Sequence, residues 1–207
     1  MKELLKKCLV EFIGTFFLVL TVGCCVYSAS DGIIAPLAIG FVLMVMVYAG
    51  GYVSGAHYNP AVTLACLIRG AINLKDSAFY WISQALAGFI AAVTVKQLLV
   101  TTAPQCDFCV CKLAIAEILF TFALCYVVLH CATTEETKGN SYFGLAIGST
   151  VLVAAFATSG LCFGAFNPAV AIGLLTFGAC AKIIGITIIS NLIGATIAGY
   201  VFKITTK

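Results

Sequence analysis

The sequence predicts an all-α membrane protein with six transmembrane helices and two re-entrant half-helices that form an inverted repeat. Hydrophobic residues make up 62% of the 207-residue chain and charged residues only 9%, and the mean hydropathy is +1.13. A soluble domain of this length would need far more polar surface. The tetrapeptide Asn-Pro-Ala-Val occurs twice, at Asn59–Val62 and Asn167–Val170, 108 residues apart. We therefore expect a single transmembrane domain made of two repeats, residues 1–103 and 104–207.

Six apolar runs are long enough to cross a bilayer core, which takes about 20 residues. They lie at Cys8–Ala29, Ile33–Val53, Ala78–Thr102, Leu113–Cys131, Tyr142–Ser159 and Ile183–Phe202. The segments that begin with the two Asn-Pro-Ala motifs, Asn59–Ile68 and Asn167–Phe177, are too short to cross alone. We expect them to be half-helices, because such segments are tolerated at membrane depth only inside protein or beside a wet cavity.

Residues outside the two motifs also recur at nearly the same spacing. Glu11 recurs as Glu117, and Gln84 has a polar counterpart in Asn191. An inverted repeat places its two halves in opposite orientations about an axis in the membrane plane. The two half-helices then enter from opposite sides, and their N-termini meet near the midplane.

The basic residues predict the orientation of the chain in the membrane. Three of the eleven fall on the side away from the termini, namely Lys96, Lys112 and Lys182. The other eight fall on the side of the termini: Lys2, Lys6, Lys7, Arg69, Lys75, Lys138, Lys203 and Lys207. Because cytoplasmic loops carry the excess of basic residues, we expect both termini in the cytoplasm and the protein in a plasma membrane or a bacterial inner membrane. No basic cluster is dense enough to indicate a nucleic-acid partner.

The first 24 residues have a second interpretation. Met1–Cys24 combines a basic start, an apolar run and a Thr-Val-Gly-Cys end, which resembles a cleavable signal or lipoprotein peptide. However, Glu11 lies within the apolar run and has its counterpart in Glu117, so cleavage would delete a repeated element. We therefore expect the first span to be retained.

Three of the eleven cysteines lie together in the segment that joins the two repeats. Cys106, Cys109 and Cys111 could bind a soft metal ion or form a disulfide. With no histidine nearby and only three thiols, the pattern argues against a metal site, and we expect no cofactor. The odd cysteine total means that at least one thiol is free or pairs between chains.

The two Asn-Pro-Ala motifs are suited to starting helices that point at each other. Pro60 and Pro168 fit the first helical turn, where a missing N–H costs nothing, and Asn59 and Asn167 are good N-caps. Two helix N-termini that face one point create a positive potential of roughly half a charge each. Such a potential repels cations and orients a passing water molecule, so that neutral solutes pass while protons do not. This pattern predicts a pore.

The whole chain resembles the aquaporins, or major intrinsic proteins, a family in which half-helix dipoles are known to serve in this way. The motifs that carry the resemblance are Glu11-Phe-Ile-Gly-Thr15, Ser54-Gly-Ala-His-Tyr-Asn-Pro-Ala-Val62, Gln84-Ala-Leu-Ala-Gly88, Ala116-Glu117 and Phe166-Asn-Pro-Ala169. The resemblance implies a passive channel, not an enzyme, for water and small uncharged solutes, assembled as a homotetramer in the lipid bilayer with one pore per subunit.

The resemblance also implies roles for individual residues. Asn59 and Asn167, with the Pro and Ala that follow each of them (Ala61 and Ala169 close the motifs), would form the pore midplane. Glu11 and Glu117 would accept hydrogen bonds from the two re-entrant loops, the alternative being a proton relay. His57 would brace the first loop near Glu11 and border the inner vestibule, the alternative being a pH gate.

The outer constriction departs from the family pattern. The residue after the second Asn-Pro-Ala is usually an arginine in this family, and here it is Val170. Matching the remaining positions by their distance from the motifs gives a selectivity filter of Ile39, Ala155, Gly164 and Val170. We expect this small, apolar filter to admit larger neutral molecules than an arginine-containing one. Alternatively, Phe163 or Phe166 closes the gap and the pore conducts water alone.

Several solutes and two further classes of protein stay open from the sequence. Ala171 follows Val170 where glycerol facilitators usually carry aspartate, which argues against an ordinary glycerol facilitator. Cys162, near the filter, could contact arsenic in a channel for uncharged metalloids such as arsenite or methylarsenite. A poorly conducting structural membrane protein is a third alternative. An ion or proton-coupled transporter is disfavoured, because only the first and fourth spans carry a deep acidic residue.

Overall fold

A computed structural model describes residues 1–27, 34–99, 109–161 and 164–206 of the chain. Within these ranges the chain forms eight α-helices. They are α1 (Lys2–Tyr27), α2 (Ile34–Ser54), α3 (Pro60–Arg69), α4 (Leu74–Leu98), α5 (Val110–Ala132), α6 (Phe143–Thr158), α7 (Pro168–Thr176) and α8 (Ala181–Thr205). The order of long and short helices is that of the predicted fold, with α3 and α7 as the two half-helices.

Five of these helices, α1, α2, α4, α5 and α8, are long and apolar enough to cross a membrane. The sixth, α6, is apolar but has only 16 residues, and at 1.5 Å per residue it is about 24 Å long. It packs along α2 and α5, which places it in the helical bundle beside the other five.

The predicted boundaries agree with the helices to within a few residues, except at the start of α1. This helix begins at Lys2, six residues before the predicted span. Apolar composition marks only the part of a helix that lies in hydrocarbon, and the added turns are polar and carry an ion pair between Lys6 and Glu3 at 2.7 Å. The predicted boundaries at Ala29, Ile33 and Thr102 lie outside the described residues.

The packing of the helices repeats between the two halves. Helix α1 packs against α2 and α4, and its counterpart α5 packs against α6 and α8. The half-helices lie between these groups, and each contacts both α4 and α8. Glycines allow the closest approaches: a Cβ added at Gly88 of α4 would lie 2.5 Å from the carbonyl oxygen of Ala169 in α7. Gly40 and Gly148 face each other in the same way where α2 crosses α6.

Both ends of the chain lie at one face of the bundle, which we call the terminal face. One cavity at this face is lined by Lys7 near the start of α1 and by Arg69 at the end of α3. A second is lined by Arg69 and by Thr206, just after α8. The other end of the bundle, where α5 and α8 begin, is called the opposite face.

Candidate functional site

The N-termini of the two half-helices meet at the centre of the molecule. The side-chain amide of Asn59 donates to the carbonyl oxygen of Phe166 at 2.9 Å, and that of Asn167 donates to the carbonyl oxygen of Tyr58 at 2.9 Å. Both asparagine side chains are 3% exposed. Each amide group has two N–H bonds, so this reciprocal pair leaves one N–H of each asparagine for another acceptor.

Each half-helix starts as the sequence predicts. Pro60 and Pro168 occupy the first helical positions, and the side-chain oxygens of Asn59 and Asn167 accept from the N–H of the following Ala61 and Ala169 at 2.8 and 2.9 Å. The residue before each asparagine adopts a left-handed conformation, with φ of 49° at Tyr58 and 48° at Phe166. Non-glycine residues seldom adopt this conformation, which costs free energy unless the surroundings compensate.

Two buried glutamates stabilise these strained loops. Glu11 accepts from the backbone N–H groups of His57 and Tyr58 at 2.9 and 2.7 Å. Glu117 accepts from those of Ala165 and Phe166, both at 2.8 Å. Neither glutamate is exposed. Each carboxylate accepts from two consecutive N–H groups in front of a half-helix, a geometry compatible with the predicted role of loop support.

Further polar side chains, for which no role was predicted, complete the two carboxylate sites. Ser54 and Gln84 donate to Glu11 at 2.7 and 2.8 Å, and Asn191 donates to Glu117 at 2.7 Å. The signal for two of them was present in the sequence, since Gln84 and Asn191 occupy matching positions in the two repeats.

His57 contributes to the site through two separate groups. Its backbone N–H, and not its side chain, binds Glu11. The Nδ1 atom of its ring lies 3.1 Å from the hydroxyl oxygen of Thr63 in α3, and the ring packs edge-on against Tyr80. The hydrogen bond between His57 and Glu11 is therefore made by the main chain, and the imidazole is left to border the cavities described below.

A cavity of about 80 Å³ extends from the two asparagines towards the opposite face. All four residues of the predicted filter lie on its wall, together with His57, Asn59 and Asn167. Among the described residues on this wall, none is charged. A buried water needs roughly 10–15 Å³ of such space, so the cavity has room for several water molecules. Phe166 also borders it, with its ring against Phe120, while Phe163 lies outside the described residues.

A wider, more polar cavity of about 630 Å³ opens at the terminal face. Its wall includes Lys7, Arg69 and Asp76 as well as His57. His57 thus borders both the wide and the narrow cavity, a position compatible with the role at a vestibule border that the resemblance implies.

Two of the three cysteines in the connecting segment lie among the described residues. Cys109 and Cys111 are exposed at the start of α5, while Cys106 and Cys162 lie outside the described residues. The backbone N–H groups of Lys112 and Cys111 lower the pKa of the Cys109 thiol. In the described part of the chain no three potential ligands of His, Cys, Asp or Glu come close enough to hold a metal ion.

The chain is similar to known channel proteins over nearly its whole length. The family model for "Major intrinsic protein" matches residues 1–202. The glycerol uptake facilitator protein-like 6 of Lactiplantibacillus plantarum is 34% identical, over 97% of this chain and 98% of that protein. Aquaporin NIP1-1 of Arabidopsis thaliana is 32% identical, over 96% of this chain and 73% of that protein.

A solved structure supports the same fold. The aquaglyceroporin of Plasmodium falciparum superposes with a TM-score of 0.78 over 96% of this chain and 95% of that one, at 18% identity. At such low identity the likeness concerns the fold alone, which is aquaporin-like and all-helical in the described residues. The match of the family model and the two relatives settle the affiliation: the chain belongs to the major intrinsic protein family, whose members are membrane channels and not enzymes.

Proposed function

We propose that the protein is a passive channel for water and small uncharged solutes, which excludes protons at the paired Asn-Pro-Ala motifs and has a wide, apolar constriction beyond them. Family membership supports a channel for water and small solutes. The observation that carries the finer proposal is the narrow cavity, because the two asparagines and the four small or aliphatic filter residues share one wall.

Proton exclusion follows from the electrostatics of the midplane. Both half-helices direct their N-termini, and hence the positive ends of their dipoles, at the same point. One N–H of Asn59 and one of Asn167 stay available there, because the reciprocal bonds use only one from each. A water molecule that accepts from both asparagines must direct its own hydrogens away from them, which interrupts a chain of proton transfers.

Selectivity among neutral solutes follows from size and desolvation. A solute that enters a narrow passage loses water contacts, and an apolar wall returns few of them. Val170 supplies neither the volume nor the charge of an arginine, so the passage discriminates mainly by size. We propose that it admits solutes as large as glycerol or urea, and the name of the glycerol uptake facilitator-like protein to which the chain is similar supports this size range.

We also propose the setting in which the pore works. The excess of basic residues at the terminal face supports cytoplasmic termini in a plasma membrane or a bacterial inner membrane. Homotetramers are typical of the family, and the large apolar side chains exposed on the outer surfaces of the helices are compatible with both lipid and neighbouring subunits. We propose one pore in each subunit of such a tetramer.

Stopped-flow light scattering on proteoliposomes tests the proposal. With an impermeant osmolyte the vesicles should shrink faster than protein-free vesicles, and with glycerol or urea they should then reswell rapidly. Shrinkage without reswelling would indicate a pore for water alone. If a verified oligomer accelerates neither process, the proposal is wrong and the structural alternative gains support; fast flux of methylarsenite or arsenite, with none of glycerol, would favour the metalloid alternative.

Substitution of Val170 by arginine, the residue usual in the family, tests the filter. Val170→Arg should reduce glycerol and urea flux at least tenfold while water flux falls much less, because the guanidinium narrows the passage and still hydrogen-bonds water. Val170→Met is the matched control, since it adds length without charge. Equal loss of water and glycerol flux in the arginine variant would argue against a filter at this position.

A further inference from the structure

The wall of the pore is asymmetric at two equivalent positions. His57 and Ala165 each donate their backbone N–H to the glutamate of their own repeat, so they occupy matching places in the two loops. Both border the narrow cavity. On the terminal side this position therefore carries an imidazole, while on the opposite side it carries only a methyl group.

The hydrogen bonds around Thr63 determine which ring nitrogen of His57 carries its proton. Glu11 accepts three hydrogen bonds, from the Ser54 hydroxyl and from the backbone N–H groups of His57 and Tyr58. An ionised carboxylate has no hydrogen to donate, so the Gln84 amide must direct its nitrogen, and not its oxygen, towards Glu11, at 2.8 Å. The second N–H of the same amide group then donates to the Thr63 hydroxyl oxygen at 3.0 Å. The orientation of Gln84 is thus fixed by the carboxylate and not by Thr63.

Among the described residues, the single hydroxyl hydrogen of Thr63 has two acceptors at 3.1 Å, the carbonyl oxygen of Asn59, one helical turn back, and Nδ1 of His57. Oε1 of Gln84 is a more distant acceptor at 3.4 Å, and it belongs to the amide whose nitrogen already donates to this hydroxyl. If the hydrogen goes to Nδ1, the hydroxyl makes two hydrogen bonds, one to His57 and one from Gln84. If it goes to Asn59, the hydroxyl oxygen also accepts from a protonated Nδ1, and the total is three. A buried polar cluster favours the arrangement with more satisfied groups.

We infer that His57 carries its proton on Nδ1 and presents a bare Nε2 to the pore as a fixed hydrogen-bond acceptor, which favours the passage of solutes that donate hydrogen bonds. A neutral imidazole has one N–H and one acceptor nitrogen, so holding Nδ1–H at Thr63 leaves Nε2 as the acceptor. No described residue forms a hydrogen bond with Nε2, and the ring lies where the narrow and the wide cavity meet.

The selectivity follows from the order of groups along the pore. A solute first crosses the apolar part of the wall, then meets the free N–H groups of the two asparagines, and then reaches the acceptor at His57. Water, polyols, urea and other uncharged molecules with hydroxyl groups can accept a hydrogen bond from the asparagines and donate one to His57. A solute that only accepts, such as dimethyl sulfoxide, has nothing to offer at His57. Thr63 is a positioning residue, since it acts only through the imidazole. This selectivity rests on the proposed channel function, while the tautomer does not.

The tautomer can be measured directly by nitrogen-15 solid-state NMR on histidine-labelled protein in liposomes. The chain has only two histidines, so His130→Gln leaves His57 as the single labelled ring. We expect a protonated Nδ1 and a bare Nε2 in the variant with this one ring. A protonated Nε2, or a ring protonated on both nitrogens, would overturn the inference whether or not the protein conducts. The matched change is Thr63→Val, which removes the acceptor and should yield a mixture of tautomers, while Thr63→Ser should restore the Nδ1–H form.

The selectivity can be measured as the ratio of urea to dimethyl sulfoxide permeability, two solutes with equal numbers of non-hydrogen atoms. After subtraction of protein-free liposomes, His57→Ala should lower this ratio about three- to tenfold, the effect of one hydrogen bond. Thr63→Val should lower it less, and Thr63→Ser should keep it. A ratio unchanged in both His57→Ala and Thr63→Val would overturn the inference while leaving the channel intact. A wild-type protein without flux would instead overturn the proposed function, and the NMR result would still decide the tautomer.

Discussion

The two repeats share a backbone arrangement but differ in the side chains that they add to it. In each, a buried glutamate holds two consecutive N–H groups, a left-handed residue precedes an asparagine cap, and a proline starts a half-helix. Around this arrangement, the first repeat has a histidine, a threonine and a glutamine in one hydrogen-bonded cluster. The matching loop position of the second repeat is an alanine.

This comparison separates what builds the pore from what tunes it. The elements present in both repeats are those without which the half-helices could not meet, because each compensates strain or satisfies a buried donor. The elements present in one repeat face the pore or support a group that does. Val170, where the family usually has arginine, strengthens the contrast between the two sides of the pore. The same residue type, valine, follows each motif at positions 62 and 170. Among the described residues, polar side chains on the wall of the narrow cavity are therefore confined to the midplane and the terminal side.

The largest effect is expected from removing the shared carboxylates. Glu11→Ala would leave four hydrogen-bonding groups without their acceptor, and Glu117→Ala would leave three. Each unsatisfied buried group costs about 1–3 kcal/mol, which together is comparable with the whole stability of a typical domain. Both variants should lose most folded protein, with Glu11→Ala the more severe. The measurement is the monodisperse fraction in size-exclusion chromatography after a heating series.

Glu135→Ala is the matched control for this pair. Its exposed carboxylate forms an ion pair with Lys138 at 3.0 Å, and such surface pairs contribute little. We expect its heating curve to match the wild type. If Glu117→Ala also behaved like the wild type, the second loop would not depend on its carboxylate, and the equivalence of the two repeats would be refuted.

A smaller effect, on function more than on stability, is expected at the midplane. The substitutions Asn59→Asp and Asn167→Asp preserve the helix cap. Each replaces the amide that donates to the opposite loop by a carboxylate, whose negative charge offsets the helix dipoles. Each change should give measurable cation or proton flux, reported by a pH-sensitive dye in liposomes. Because the two asparagines make equivalent bonds of 2.9 Å, we expect effects of similar size.

Asn59→Ser and Asn167→Ser are the controls for charge, since serine caps a helix without a charge. They should keep the proton barrier, although the reciprocal bond is lost. A folded aspartate variant that stayed proton-tight would place the barrier elsewhere in the pore. A leak in one aspartate variant alone would show that the midplane is electrostatically asymmetric.

The repeated parts of the fold and of the site could be predicted from the sequence. Proline after asparagine determines where each half-helix starts, and the recurrence of glutamate before each motif indicated loop support. The prediction of the half-helices is confirmed, because it depends on local chain chemistry. The loop-supporting role, inferred from matching positions within one sequence, stays a prediction with which the hydrogen bonds agree. The placement of Ile39, Ala155, Gly164 and Val170 beside one cavity also follows the predicted pattern, while their role in selection stays a prediction.

The remaining features depend on three-dimensional packing and could not be predicted in this way. The partner of the His57 ring is Thr63, and nothing in the spacing of the two residues distinguishes that contact from one with Glu11. The left-handed conformation of Tyr58 and Phe166 is equally hidden, because both are bulky residues that seldom adopt it. The carboxylates that bind the N–H groups of these two residues are distant in sequence.

The smallest effect is expected from two threonines that occupy matching positions but have different surroundings. Thr15 and Thr121 each lie four residues after the glutamate of their repeat, and both are fully buried. The hydroxyl of Thr121 accepts from Asn191 at 2.9 Å, whereas that of Thr15 has no hydrogen-bond partner among the residues that the structure describes. The longer side chain of Gln84 reaches Thr63 instead.

Thr121→Val should therefore lower the free energy of unfolding by about 1–3 kcal/mol, because it leaves an amide N–H unsatisfied. Thr15→Val should be neutral or slightly stabilising, because it removes a buried hydroxyl without a described partner. Heating curves of the two variants in the same detergent measure the difference. An equal loss of stability in both would mean that Thr15 has a partner, such as a bound water. The two repeats would then be more alike than their side-chain contacts indicate.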